Sequence, residues 1–385
     1  MRIALFSEVY WPMVSGVSMT LLRLVNELQA RGHQVRVYSA TYPLPEGAVD
    51  RPEVYRCPSK PLFLAPDVQT TTVRQESITQ DLAAFQPDVV HILTEWTLGR
   101  RGLRAARDLG VPIIMSAHTD YERYARSYGI GSWLAPAGWA YLRWFYHYGH
   151  RVLAPSRSYE RLLNERGVWH TGIWTRGVDA EQFHPRFRSE AFRARYGVAP
   201  DGVLVSNIGR LAPEKNIDLL LDVWTQLGDR KQGAQLLLVG KGLMEPAILE
   251  RALPDVHLLG MQHGEDLSTA YASTDVFAFP SVTETFGNVL LEAMACGTAS
   301  VVARKGGQME FVQPGATSLV AEPDDAQTLG DALARLIDEK ELRQRLGRQS
   351  REVAELRTWP AIYDRLLADY GETIAAKRSL ELAVA

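Results

Sequence analysis

The chain has 385 residues, 46% of them hydrophobic and 23% charged, which supports sizeable cores and excludes a disordered, collagen-like or disulfide-stapled protein. Its net charge is −3, from 42 basic and 45 acidic side chains, too near neutral for a general nucleic-acid binder. The two cysteines, Cys57 and Cys296, are far apart and show no metal-ligand spacing, the usage of a reduced, cytoplasmic protein.

No secretory signal is expected, because the apolar run from Ile3 to Phe6 is short and Glu8 follows it. A buried strand is predicted over residues 2–6, and a helix over 17–30 sets Leu21, Leu24, Val25 and Leu28 on one face. Gly32 stops that helix and a strand resumes over 35–38. Further strands are predicted over 89–93, 112–116, 152–154 and 172–174. Strands separated by helices mean βαβ units and a parallel sheet.

Residues 180–200 are polar, carry Pro185 and Pro200, and read as a linker or hinge. The pattern then restarts, with strands over 203–208, 235–239, 256–259, 276–279 and 300–302. Helices are predicted between them over 217–227, 245–253, 265–272 and 288–295, and the chain is mostly helical from residue 325. The expected fold class is α/β, two doubly wound domains facing each other across a cleft, since open parallel sheets bind ligands beyond the carboxyl ends of their strands.

Charge divides unevenly along the chain. Residues 1–180 hold 20 basic and 16 acidic side chains, and the remainder 22 and 29. Residues 100–166 alone hold 11 basic and 5 acidic. That basic stretch contains seven aromatics between Trp133 and Tyr148, a segment for a membrane interface or for a core helix. The 14 apolar-rich residues from Trp133 to Tyr146 include Arg143 and fall short of the roughly 20 that a bilayer span needs.

The densest chemical signal runs from Ser281 to Gly297, where a strand ends at Pro280 and a helix begins near Gly287. A helix start offers unpaired N–H groups and a positive dipole end, suited to a phosphate or sugar hydroxyls. Glu284 and Glu292 either accept hydroxyl hydrogen bonds from two parts of one ligand or serve as a capping and a solvated glutamate. Upstream, Gly209-Arg210-Leu-Ala-Pro-Glu214-Lys215 follows a strand; Arg210 and Lys215 either neutralise a diphosphate or line a solvated loop with a Glu–Lys pair. The Ser15-Gly16 loop lacks the three-glycine dinucleotide spacing, and His118 sits at a strand's carboxyl end. No metal motif is present, and no nucleophile triad or elbow.

These motifs resemble glycosyltransferase family 4, retaining enzymes of the GT-B architecture. The resemblance runs over nearly the whole chain, through the Gly16 loop, His118, Gly-Arg-Leu-x-x-x-Lys at 209–215 and Glu-x-Phe-Gly-x-x-x-x-Glu at 284–292. His118-Thr119-Asp120-Tyr121 followed by Tyr128-Gly129, Trp174-x-Arg176-Gly177-Val178-Asp179-x-x-x-Phe183, and Thr283 to Asn288 narrow it to bacterial glycolipid mannosyltransferases and sulfoquinovosyl or glucuronosyl diacylglycerol synthases. Two positions depart from the common pattern: Gly240-Lys241-Gly242 has a cation where an acid is frequent, and Ser15-Gly16 stands for paired glycines.

The resemblance implies an acceptor-binding Rossmann-like domain over 1–180, a nucleotide-sugar-binding one over 181–364, and a helix over 365–385 returning to the first. Arg210 and Lys215 would bind the donor diphosphate, Glu292 the ribose, and Glu284 the far hydroxyls of the sugar. Backbone N–H groups of Phe286, Gly287, Asn288 and Val289 would bind sugar hydroxyls and phosphate. His118 would lie beside the anomeric centre, and Gly16 would line the phosphate and acceptor side.

The expected activity is a metal-independent hexosyltransferase without a cofactor, taking GDP-mannose or a UDP-hexose or uronic donor to a membrane glycolipid or diacylglycerol. An anionic membrane surface is the expected partner, on the inner face of the plasma membrane, with no nucleic acid and no protein partner. The alternatives are the same chemistry on a soluble saccharide or small polyol, a non-catalytic nucleotide-sugar binder, and a nicotinamide oxidoreductase. The intact set of five site residues opposes the binder, and the incomplete glycine fingerprint opposes the oxidoreductase.

Overall fold

The computed structural model describes residues 1–13, 15–62, 65–118 and 135–384. The motif positions 119–121, 128 and 129, and Trp133, lie outside them. The chain divides into two compact units, one built from the described residues up to 118, 135–175 and 363–384, the other from 176–362.

The first unit runs β1 (Arg2–Ser7), α1 (Gly16–Ala30), β2 (Gln34–Ala40), β3 (Val54–Cys57), β4 (Ser59–Leu62), β5 (Ala65–Thr71), α2 (Gln75–Phe85), β6 (Val89–Ile92), α3 (Thr97–Asp108), β7 (Ile113–Ser116), α4 (Ala135–Tyr146), β8 (Arg151–Ala154), α5 (Arg157–Glu165) and β9 (Thr171–Ile173). Seven parallel strands stand in the order β3-β2-β1-β6-β7-β8-β9, and β4 and β5 form a separate antiparallel pair. The order reverses between β1 and β6. Ile3, Ala4, Leu5 and Phe6 are wholly buried because helices cover both faces of the sheet, so the central strand reads as a continuous apolar run.

The second unit runs α6 (Glu190–Arg195), β10 (Leu204–Ile208), α7 (Ile217–Gln226), β11 (Gln235–Val239), α8 (Glu245–Glu250), β12 (Val256–Gly260), α9 (Gly264–Ala272), β13 (Val276–Phe279), α10 (Asn288–Ala295), β14 (Ala299–Ala303), β15 (Ser318–Ala321), α11 (Ala326–Asp338) and α12 (Lys340–Glu355). Its six parallel strands follow β12-β11-β10-β13-β14-β15, a doubly wound order with its switch point between β10 and β13. Alternate residues feed two cores: Val205, Leu236, Leu238, Val276 and Val301 pack with α7 and α11, and Leu204, Leu237, Phe277 and Val302 pack with α10.

A last helix, α13 (Trp359–Val384), supplies residues 363–384 to the first unit. There Tyr363, Leu366 and Tyr370 are buried, and the Tyr370 hydroxyl lies 2.7 Å from Nδ1 of buried His91. Arg151 pairs with Asp369 at 3.1 Å and Glu372 at 2.8 Å.

The linker expected over 180–200 is corrected. Residues 176–362 belong to the second unit, and Phe183, Arg193 and Val198 are buried in it. The segment looks solvated in sequence because its anchor is an arginine: Arg193 donates to Asp275 at 2.5 Å, to Glu190 at 3.0 Å, and to the carbonyls of Ser273 and Gly202. Also unforeseen are β3, β4, β5 and β15. The two cysteines are buried and unpaired with each other.

Candidate active site

The loops after β10 and β13 diverge at the switch point of the second sheet, and three of the side chains named from sequence, Arg210, Lys215 and Glu284, collect there. The first loop, Gly209 to Asn216, is compact. Leu211 and Ala212 are buried, the Leu211 N–H donates to the Lys241 carbonyl at 3.0 Å, and a single 3₁₀ turn spans Pro213–Lys215. Glu214 is buried under it and accepts from Nη2 of the half-exposed Arg210 at 2.6 Å.

Lys215 does not pair with its neighbour Glu214, as a solvated loop would have it. Its Nζ reaches Glu284 Oε1 at 2.5 Å, tying the two loops together across the switch point. The same carboxylate oxygen accepts from Ser281 Oγ at 2.8 Å, and Thr283 Oγ1 donates to the Glu214 carbonyl at 3.2 Å. Burial alone would push the Glu284 carboxyl up, but the Lys215 ammonium, the Ser281 hydroxyl and nearby Arg210 together hold it below the usual carboxylate range. Glu284 is therefore an anion at neutral pH.

Beyond Glu284 the chain turns sharply into α10. Gly287, the residue before the helix, has φ of +102°, a left-handed conformation that favours glycine. The first-turn N–H groups, those of Asn288 and Val289 among them, have no acceptor within a helix, so this end can receive anionic or hydroxyl oxygens. The Asn288 side-chain oxygen is buried and has no partner among the described residues. Phe286 is buried against Phe311, ring centroids 5.1 Å apart, so only its backbone is available to a ligand.

Glu292 lies elsewhere on α10. Its Oε2 accepts from the Tyr271 hydroxyl at 2.8 Å, and burial, then the Glu292 charge, drives that phenol's pKa well up. The two glutamates of the block thus have separate partners.

Sequence reading passed over the loop after β14, which buttresses the Glu284 turn. Gly307 N–H donates to the Glu284 carbonyl at 2.7 Å. A Cβ on Gly307 would stand 2.0 Å from the Thr285 carbonyl oxygen and 2.6 Å from the Phe286 Cα, so only glycine lets the two backbones pack. Gln308, wholly buried, donates to the Ser281 carbonyl at 3.1 Å and to those of Ala303 and Lys305. The adjacent Gly306-Gly307 after a strand was the available signal.

Gly16 and His118 belong to the first unit. Gly16 opens α1 behind a capping box made by Ser15 and Ser18. His118 follows β7 with its ring edge-on to buried Trp174, centroids 5.7 Å apart, and Trp174 also meets His91 at 5.4 Å. At that unit's own switch point Glu8 is buried, accepting from the hydroxyl of Thr94 and from the Leu98 N–H at the start of α3. Among the described residues no group of three His, Cys, Asp or Glu is placed to hold a metal ion.

Residues 188–353 match the family model of the glycosyl transferases group 1, and residues 14–182 that of glycosyltransferase family 4. A GDP-mannose-dependent alpha-mannosyltransferase of Mycobacterium tuberculosis is 35% identical to this chain, the alignment covering 99% of each. A sulfoquinovosyl transferase of Arabidopsis thaliana is 33% identical over 94% of this chain and 71% of its own. Among solved structures, sucrose-phosphate synthase from Thermosynechococcus elongatus matches with a TM-score of 0.79 at 22% identity, covering 97% of this chain and 99% of that one.

Proposed function

The chain belongs to glycosyltransferase family 4 and is a nucleotide-sugar-dependent hexosyltransferase of GT-B fold, and from that premise we propose that it glycosylates a membrane lipid, a glycolipid or diacylglycerol, with retention of configuration and without a metal ion. The alpha-mannosyltransferase relative favours GDP-mannose as the first donor to try, ahead of a UDP-hexose or uronic donor.

In this reading the donor diphosphate lies over the second unit's switch point. Arg210, Lys215 and the start of α10 supply the positive charge that a divalent cation supplies elsewhere. Glu284 takes hydroxyls of the hexose and Glu292 those of the ribose. The bond from the anomeric carbon to the diphosphate oxygen breaks as the acceptor oxygen bonds on the same face, and the leaving diphosphate takes the acceptor's proton. His118 would serve the anomeric centre and Gly16 the acceptor side, as the family resemblance implies.

The lipid acceptor rests on one surface of the first unit. Leu98, Leu103, Ala105 and Ala106 of α3, and Trp139, Leu142, Phe145 and Tyr146 of α4, face the core. The aromatic segment is thus partly core. Outward, Arg100, Arg104 and Arg107 are exposed along α3, and Arg143 on α4. Trp96 and Trp144 are 40% and 45% exposed. Arg100 sits over the Trp144 ring at 5.7 Å and Arg107 over Tyr148 at 4.0 Å. Exposed tryptophan interleaved with arginine suits the headgroup layer of an anionic bilayer, where each basic side chain is worth about 1 kcal/mol. No helix of the described residues is long and apolar enough to cross a membrane. The contact in this proposal is peripheral, on the inner face of the plasma membrane.

The test is a donor-by-acceptor screen read by mass spectrometry, without added metal. GDP-mannose, UDP-hexoses and a uronic donor would each meet diacylglycerol, a glycosylated diacylglycerol and a soluble saccharide, lipids presented in anionic vesicles. A hexosyl lipid with the donor's anomeric configuration is the expected product. Transfer to the saccharide alone would overturn the lipid reading and leave the transferase.

A further inference from the structure

Both cations assigned to the donor diphosphate are already held by carboxylates, and the two pairs differ in kind. The Arg210 side chain is 51% exposed and carries five N–H donors, so it can reach a phosphate without leaving Glu214. Lys215 and Glu284 are withdrawn from solvent, at 23% and 14% exposure, with 2.5 Å between Nζ and Oε1. At that separation and burial the carboxylate cancels much of the attraction that Lys215 offers an arriving phosphate. A bound hexose alters this balance, because its hydroxyls donate to Glu284 and satisfy the carboxylate in place of the ammonium.

We propose that Glu284 is the release element of the donor site: sugar hydroxyls on Glu284 let Lys215 grip the diphosphate, and after transfer Glu284 takes Lys215 back and loosens the nucleoside diphosphate. The inference rests on the donor-site reading under Proposed function and adds a rule that separates substrate from product. The same two phosphates are held tightly while the sugar is attached and weakly once it has gone. Ser281 keeps the carboxylate aimed for the recapture, since its hydroxyl donates to the oxygen that holds Lys215.

Calorimetric titration of the full chain with GDP, UDP and their hexose conjugates tests this in the wild type, Glu284→Gln and Glu284→Asp. Glu284→Gln is expected to bind its nucleoside diphosphate about five- to tenfold tighter, a change of order one ion-pair energy. The same variant should bind the intact donor no better than wild type, so that preference for donor over product collapses. Glu284→Asp keeps the charge and should stay close to wild type for the nucleoside diphosphate. Weaker binding of both ligands by Glu284→Gln would make Glu284 a mere scaffold for Lys215 and overturn the proposal. No response of either ligand would instead overturn the donor-site reading itself. A wild type that binds the bare nucleoside diphosphate tighter than the intact donor also refutes the release role, whatever the variants' folding.

Discussion

Lys215→Ala is expected to lower turnover about 10²- to 10³-fold, the usual loss when one fixed charge aimed at a developing anion is removed. Its melting temperature should fall by only a few degrees, because the pair it breaks with Glu284 is one contact in a unit with two full cores. The pH profile should change as well. In the wild type Lys215 is the foremost of the groups that lower the Glu284 carboxyl against the upward push of burial. Without it burial wins, the carboxyl rises, and the acid limb of residual activity moves to higher pH. For stability the sign follows from a depressed folded value: Glu284 contributes above its unfolded range, and the contribution goes as pH falls through the lowered one. Steady-state kinetics beside calorimetric melting decides this. Proportionate losses in both would mean that Lys215 is structural.

Arg193→Leu should give the opposite signature. The guanidinium is almost wholly buried and binds Asp275, Glu190 and two backbone carbonyls, while Asp275 also accepts from the Leu204 N–H at 2.8 Å, where β10 begins. Removing it takes the nearest cation from Asp275, which keeps Arg188 at 3.1 Å and the Leu204 N–H, and leaves the Ser273 and Gly202 carbonyls without that donor, at a cost of about 2–3 kcal/mol. Urea unfolding of the second unit should shift by that amount. Turnover per folded molecule should hold, since Arg193 and Asp275 sit at the amino ends of β10 and β13, away from the loops that carry Lys215 and Glu284. A shift under 1 kcal/mol would show that water replaces the arginine readily.

These two residues also mark what the sequence discloses and what it hides. Strands over 235–239 and 276–279 and the helix over 288–295 are legible because both of their faces are buried, so each is an apolar run bounded by turn residues. Strands β3 and β15 are four residues long and lie at sheet edges, where no such run is required. The segment around Arg193 reads as linker because a buried arginine and an exposed one have the same letter. Lys215 and Glu284 each stand out by motif, yet their bond joins positions 69 apart, and local spacing carries no sign of it. Gly307 reads only as a turn, although its missing side chain is what lets the loop below Glu284 close.

The course of α13 bears on how the protein is made. Among the described residues the second unit is the one stretch 176–362, whereas the first lacks Leu366, Tyr370 and the hydroxyl that Tyr370 sets against His91 until residues 363–384 have been synthesised. The 187 residues from 176 to 362 separate its two parts, about 10–40 s of translation at ordinary ribosome speed. The half that emerges first therefore finishes folding last. A nascent chain halted before residue 363 should expose its amino-terminal half to protease while the half behind it is already resistant, and equal resistance would mean that the seven-stranded sheet closes without its final helix.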